Sequence, residues 1–246
     1  MRLIRVHVDA ALSPGARARL EATAAAHVTR VLRLGVGDAV TLFNGDGADY
    51  PARISALGRG TVEAEVTGRT AARAESPLVV TLVQGIARAE RMDLVLQKAT
   101  ELGVAAIRPV ATSRSVVRLD AAGGARKLGH WRGIAIAACE QSGRARVPEI
   151  AEPVALATHL AAPTRAARRL LLAPESDTSL ATEAAGAGSI ELLVGPEGGL
   201  DDAEREAAFA AGYRACRLGP RILRSETAAI AALAILQSVA GDLGGV

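Results

Sequence analysis

The rhythm of hydrophobic positions changes near residue 75. Before that point the chain reads mostly as strands. Thr61 to Thr67 alternates, with Val62, Ala64 and Val66 on one face. Ala39 to Phe43 and Tyr50 to Leu57 flank Asn44-Gly45-Asp46-Gly47, a hairpin signal. Ser13-Pro14 reads as a helix start, with serine as N-cap and proline in the first turn. The helix is expected to run to about Leu32, with Leu20, Ala24, Val28 and Val31 on one face, and to be broken by Gly35 and Gly37. These elements predict a small β-rich domain, a compact barrel.

Thr70 to Pro77 is short, polar and ends in Ser-Pro, as a linker would. Beyond it strands and helices alternate. Leu78 to Val83 is a continuous apolar run, expected of a strand covered on both faces. A helix is expected over Glu90 to Leu102, closed by Gly103, followed by a strand over Val104 to Val110 and a helix over Trp131 to Gln141. Short buried strands are expected at Leu170 to Ala173 and Ile190 to Val194. Next come a helix over Asp201 to Ala211, with Asp201 and Glu204 at capping-box spacing, a strand over Tyr213 to Leu218, and a last helix over Ser225 to Ala240 with Ser225 as N-cap. Such alternation implies a mostly parallel α/β sheet. The domains are set at 1–72 and 73–246.

Composition changes this picture little. Half the residues are hydrophobic and 22% are charged, enough for a packed core without staples. Two cysteines, Cys139 and Cys216, exclude a disulfide framework or a Cys-rich zinc site, and the four histidines have no metal-ligand spacing. No metal is expected. The charged first residues do not resemble a signal peptide, and the apolar run from Ala228 to Leu236 is too short to span a bilayer. A cytoplasmic protein is expected. The net charge of +3 permits an RNA partner without requiring one. All basic residues except Lys98 and Lys127 are arginine. Guanidinium groups suit phosphates and bases, but a GC-rich genome accounts for most of that bias.

Three loops leave the carboxyl ends of the expected strands, the edge at which open α/β sheets bind ligands. They are Ala173-Pro174-Glu175-Ser176, the Gly195-Pro196-Glu197-Gly198-Gly199 loop after Val194, and Leu218-Gly219-Pro220-Arg221-Ile222-Leu223-Arg224. Glycines in the second loop let the backbone approach a ligand closely. In the third, Ile222 and Leu223 could wall an apolar slot. Arg224 lies beside a helix N-terminus, where a cation does not help the helix. No Rossmann fingerprint, P-loop or GxSxG elbow occurs. A second polar cluster contains Arg114 and Glu140-Gln141-Ser142-Gly143-Arg144. Gly143 and Arg144 suit a helix C-terminus, whereas Glu140 there does not.

An ordered series of segments carries a resemblance over nearly the whole chain. It includes His27 with Arg30-Val31-Leu32-Arg33, Gln97 to Val104, Ile134 to Arg144 with Val147-Pro148, Leu193 to Leu200, Leu218 to Arg224, and Glu226-Thr227. In these the chain resembles the bacterial 16S ribosomal RNA uracil-N3 methyltransferases, the RsmE family of the SPOUT superfamily. The resemblance implies a PUA-like N-terminal barrel that helps bind RNA and a SPOUT-type α/β domain with a C-terminal trefoil knot. It also implies a homodimer with the cofactor site near its interface.

S-adenosylmethionine is the implied cofactor, held by Ala173, Pro174, Val194, Gly195, Pro196, Glu197, Gly199, Leu218, Gly219, Ile222, Leu223 and Arg224. The implied substrate is 16S ribosomal RNA or the small ribosomal subunit. Uracil N3 must lose a proton, which calls for a base or for cations that stabilise the anion. Arg224 is the candidate cation; Glu140 and Glu197 are candidate bases. Arg2, Arg5, Arg30, Arg33, Arg114, Gln141 and Arg144 are expected to face RNA. Where the family often has threonine before Glu226, this chain has Ser225, which keeps the hydroxyl.

Overall fold

The computed structural model describes residues 4–72, 75–115 and 121–244, with backbone alone for 21–22 and 121–125. It divides into two compact units, Met1–Glu75 with Ile136–Val147, and Ser76–Ala135 with Pro148–Val246. The first unit thus takes in a short segment that the sequence pattern groups with the second.

The first unit contains β1 (Arg5–His7), β2 (Arg17–Glu21), α1 (Ala22–Ala26), a π-helical turn (His27–Val31), β3 (Ala39–Phe43), β4 (Ala48–Leu57), β5 (Thr61–Val66) and β6 (Thr70–Ala71). The sheet runs β1-β3-β4-β5-β2, with β6 paired to β4, and curls into a half-barrel. The hairpin signal is met by β3 and β4, which pair antiparallel around Gly45 and Gly47, both at positive φ. In β5, Val62, Ala64 and Val66 all point into the core.

The expected helix from Ser13 is a correction. Gly15 turns the chain at φ +81°, and Arg17–Glu21 then pairs antiparallel with Thr61–Glu65. Ala18 and Leu20 are buried on alternate positions. Helical structure starts only at Ala22 and widens into the π turn, where Leu32 N–H donates to the His27 carbonyl at 2.9 Å. Val31, expected on the buried face, is 66% exposed.

Segment 136–147 is locked into this unit by charge. Arg5 is buried; it pairs with Asp49 at 2.7 Å, donates to the Arg144 carbonyl at 3.0 Å and lies 4.9 Å from the Phe43 ring centroid. Arg144, also buried, meets Glu75 at 3.0 Å, and Glu75 accepts the Ala145 and Arg146 amides. Buried arginines need such partners, because an unpaired charge taken out of water is strongly destabilising. Both guanidinium groups are thus engaged within this unit. Gly143, at φ +86°, closes the helix as expected. Burial pushes the Cys139 thiol up to about 12, which makes it unreactive.

The second unit contains β7 (Val79–Gly85), α2 (Ala89–Glu101), β8 (Ala106–Ala111), β9 (Glu149–Ile150), β10 (Val154–Ala155), α4 (Leu156–Ala161), β11 (Arg168–Leu172), α5 (Leu180–Ala184), β12 (Ser189–Val194), α6 (Asp202–Ala210), β13 (Tyr213–Cys216) and α7 (Ser225–Ala240). Helix α3 (Ala121–Ser142), longer than the pattern suggests, precedes β9. The described strands pair entirely parallel, in the order β10-β8-β7-β12-β11-β13, with β9 beside β8. Helices α2, α5 and α7 cover one face through Leu96, Leu180 and Leu233 among others; α4 and α6 cover the other through Leu156 and Ala208. This explains why β7 is apolar through Val83 apart from Thr81. The capping box of α6 forms, with Asp201 accepting the Glu204 amide at 2.8 Å. No described helix is long and apolar enough to cross a membrane, and no metal-holding group of His, Cys, Asp and Glu occurs among the described residues.

A polar cluster pins the second face. Glu191 accepts from Tyr213 at 2.6 Å and Arg169 at 2.8 Å, with His159 at 3.6 Å. Burial pushes its carboxyl up, but hydrogen bonds from His159, Tyr213 and Arg169 outweigh burial and hold it at about 2. A depressed folded-state value stabilises above the unfolded value of 4.5, and this contribution is lost as pH falls from there towards about 2. A shift of that size corresponds to on the order of 3 kcal/mol. Urea unfolding of wild type and Glu191→Gln should therefore diverge at neutral pH and converge towards pH 2.

Candidate active site

Strands β12, β11 and β13 are neighbours, so the three loops leaving their carboxyl ends lie side by side. Together they line one cavity of about 500 Å³ in the second unit, within the usual range for a small-molecule site. The first loop contributes Ala173 and Pro174, the second Val194 through Gly199, and the third Leu218, Gly219 and Ile222 to Arg224. Buried Ala173, Val194 and Cys216 give an apolar floor. Ile222 lies at the rim, 88% exposed, rather than forming an inner wall.

The loops are held by the protein itself. The Ala173 amide donates to the Cys216 carbonyl at 2.9 Å, and Ser176 Oγ to the Ala215 carbonyl at 3.0 Å, which joins the first loop to β13. In the second loop, a β-carbon on Gly195 would stand 3.2 Å from Gly199 Cα, so only glycine fits the fold-back comfortably. Three of its carbonyls accept internally: Gly195 from Ser225 Oγ at 2.6 Å, Pro196 from the Gly199 amide at 2.9 Å, and Gly198 from Arg114 Nη1 at 2.9 Å. Glu197 Oε1 accepts from Arg91 at 3.1 Å and from the Arg88 amide at 3.3 Å. Arg91 Nε also lies 3.8 Å from the buried carboxylate of Glu226, so one guanidinium bridges the loop and the start of α7.

Several expected residues therefore take other places. Arg114 props the second loop through Gly198. Glu197 lines the cavity but is engaged as a loop anchor by two donors, which disfavours it as a base. Glu140 is not among the lining residues; it belongs to the first unit, where it accepts the His7 amide at 3.1 Å. Ser225 is the first residue of α7 rather than its N-cap. That position falls to Arg224, whose side chain makes no capping bond. Arg30, Arg33 and Gln141 are exposed in the first unit. Arg2 lies outside the described residues.

Lining residues that the sequence analysis does not assign to the site include Arg91, Arg205 and Arg217, together with Arg221 of the third loop and Ser225. Arg205 pairs with Glu175. Arg217, Arg221 and Arg224 are exposed and form no ion pair with another described residue. Their spacing with Arg214 gives the segment a basic density visible in the sequence. Nothing local marks Arg91, which arrives from α2.

Comparison with known proteins agrees with this architecture. An RNA methyltransferase domain model matches residues 74–237, and an RNA methyltransferase PUA domain model matches residues 20–67. The chain is 35% identical over 233 residues to the ribosomal RNA small subunit methyltransferase E of Mycobacterium bovis, covering 92% of this chain and 88% of that one. It is 30% identical to the Bacillus subtilis protein of the same name, covering 85% of each. The Neisseria gonorrhoeae ribosomal RNA small subunit methyltransferase E, solved bound to S-adenosylmethionine, superposes with a TM-score of 0.90 at 38% identity, covering 98% of this chain and 99% of that one. A candidate methyltransferase from Legionella pneumophila, solved with the same cofactor, gives 0.93 at 38% identity, covering 99% and 100%. A half-barrel followed by a parallel sheet with three ligand loops on one edge, matched over nearly its full length by these relatives, makes the chain a member of the ribosomal RNA small subunit methyltransferase E family.

Proposed function

We propose that the chain transfers a methyl group from S-adenosylmethionine to N3 of a uridine in 16S ribosomal RNA of the small subunit. The observation that carries this reading is the cavity: glycine-lined, apolar-floored, on the ligand edge of the sheet, with Arg217, Arg221 and Arg224 in its lining exposed and in no ion pair with another described residue. Its residues fit the cofactor. The close fold-back of Gly195 on Gly199 leaves backbone rather than side chains against the ligand, and Val194, Ala173 and Cys216 offer an apolar bed for an adenine face. When bound, the cofactor supplies a methyl group already activated by its sulfonium centre.

The protein's part is then mainly alignment and charge. Arg224 projects from the N-terminus of α7 at the cavity mouth. There its guanidinium stabilises negative charge on the uracil carbonyl oxygens as N3 loses its proton. On this reading Arg217 and Arg221, exposed in the cavity lining, meet the phosphates flanking the target nucleotide, and the exposed Arg30 and Arg33 of the first unit meet RNA as well. The family resemblance further suggests a trefoil-knotted C-terminal domain, a homodimer and a cytoplasmic location.

Titration calorimetry with S-adenosylmethionine tests the cofactor half of the reading. Saturable one-site binding is expected. No heat at high protein concentration would instead favour an RNA-binding assembly factor without catalytic activity.

A further inference from the structure

Gln84 is fully buried at the end of β7. It lies on the strand face that otherwise carries Val80 and Leu82 into the layer of α2 and α7. A buried amide in such a layer is costly unless it is hydrogen-bonded. Its Nε2 donates to the Gly85 carbonyl at 2.9 Å and to Ser225 Oγ at 3.0 Å. Its Oε1 accepts from none of the described residues, so only the donor end of the amide is engaged.

The direction of the chain of bonds follows from proton inventory. The Gly85 carbonyl only accepts, which turns the NH₂ end of Gln84 towards it. The second amide proton then goes to Ser225 Oγ. A serine hydroxyl has one proton, and Ser225 gives it to the Gly195 carbonyl at 2.6 Å. Donation therefore runs one way, from the sheet through Ser225 to the glycine loop. The backbone beneath is equally close: a β-carbon on Gly85 would stand 2.5 Å from Pro196 N.

We propose that Gln84 and Ser225 are positioning residues for the cofactor loop, together fixing the Gly195 carbonyl and so the shape in which Gly195–Gly199 receives the methyl donor. This rests on the methyltransferase reading above. A loop held ready in its bound shape loses less freedom on binding, so its supports act on cofactor affinity.

Calorimetry with S-adenosylmethionine on folded variants tests the proposal. Ser225→Ala should weaken binding about tenfold, as expected for loss of a buried hydrogen bond. Ser225→Thr, which keeps the hydroxyl, should restore affinity to within about threefold of wild type. Gln84→Met should weaken binding in the same direction. The Gln84→Met/Ser225→Ala double variant should be little worse than Ser225→Ala alone, since both act through one bond. In turnover assays the KM for the cofactor should rise more than kcat falls. A purely structural role would lower the unfolding temperature and leave affinity and coupling untouched. If wild type binds the cofactor and Ser225→Ala binds it equally well, or the two losses simply add, the positioning proposal is wrong while the methyltransferase reading stands. If wild type itself binds none, that reading fails first.

Discussion

Gly85→Ala should reduce S-adenosylmethionine affinity by two orders of magnitude or more while leaving a folded protein. The added β-carbon would meet Pro196 Cδ and N at 2.5 Å and Gly195 C at 2.9 Å. These are ring and backbone atoms, which cannot swing aside as a flexible side chain would. Gly85 is also fixed from its own side, because β7 pairs with β8 there and its carbonyl accepts from Gln84. The loop must therefore yield, and Gly195, Pro196 and the hydrogen bond from Ser225 move with it. Overpacking of this kind costs about 1–3 kcal/mol, a fall of several degrees in unfolding temperature for a chain of this size. Loss of the binding geometry is the larger effect, since Gly195 and Pro196 both line the cavity and shift together, so the preorganised loop is lost. Calorimetry and thermal unfolding on one sample separate the two. A folded Gly85→Ala protein with wild-type cofactor affinity would falsify the assignment of this loop to the cofactor.

Arg224→Ala should act on turnover instead. Arg224 lines the cavity mouth, is exposed, and forms no ion pair with another described residue. Its loss should therefore disturb little packing. Removing one preorganised group that stabilises developing charge typically lowers kcat by about 10²–10³. Cofactor affinity should change only a few-fold, and Arg224→Lys should recover part of the rate, because lysine keeps the charge but not the planar fork. The measurement is kcat at saturating cofactor with small-subunit RNA, beside a cofactor titration. A variant that keeps its rate, or loses only cofactor affinity, contradicts the substrate role.

The ligand edge was legible because its chemistry is local. Glycine and proline cluster where short strands end, and those strands are β11, β12 and β13. The hairpin at Asn44 to Gly47 and the capping box at Asp201 were legible for the same reason. Residues 13–32 misled because Leu20, Ala24 and Val28 have helical spacing while Ala18 and Leu20 also fit a strand. Pairing with Thr61–Glu65, forty residues away and more, decides between them. Strands β9 and β10 are two residues each and carry no period. Nothing near Arg5 or Arg144 in sequence announces their partners Asp49 and Glu75. The supports of the glycine loop had the same difficulty: Gln84, Arg91, Arg114 and Ser225 come from four separate segments. One hint was present, since Gln84 follows directly on the apolar run from Leu78 to Val83.

The central claim is the product. Small-subunit ribosomal RNA from cells with and without this protein can be compared by primer extension, then by mass spectrometry of the nucleosides. N3-methylation blocks Watson–Crick pairing, so the account predicts a strong stop at one uridine in wild-type RNA. That stop should vanish without the protein and return when purified protein and S-adenosylmethionine are added to the unmodified subunits, with N3-methyluridine as the recovered nucleoside. An unchanged stop pattern, or loss of a ribose 2′-O-methyl group instead, would contradict it.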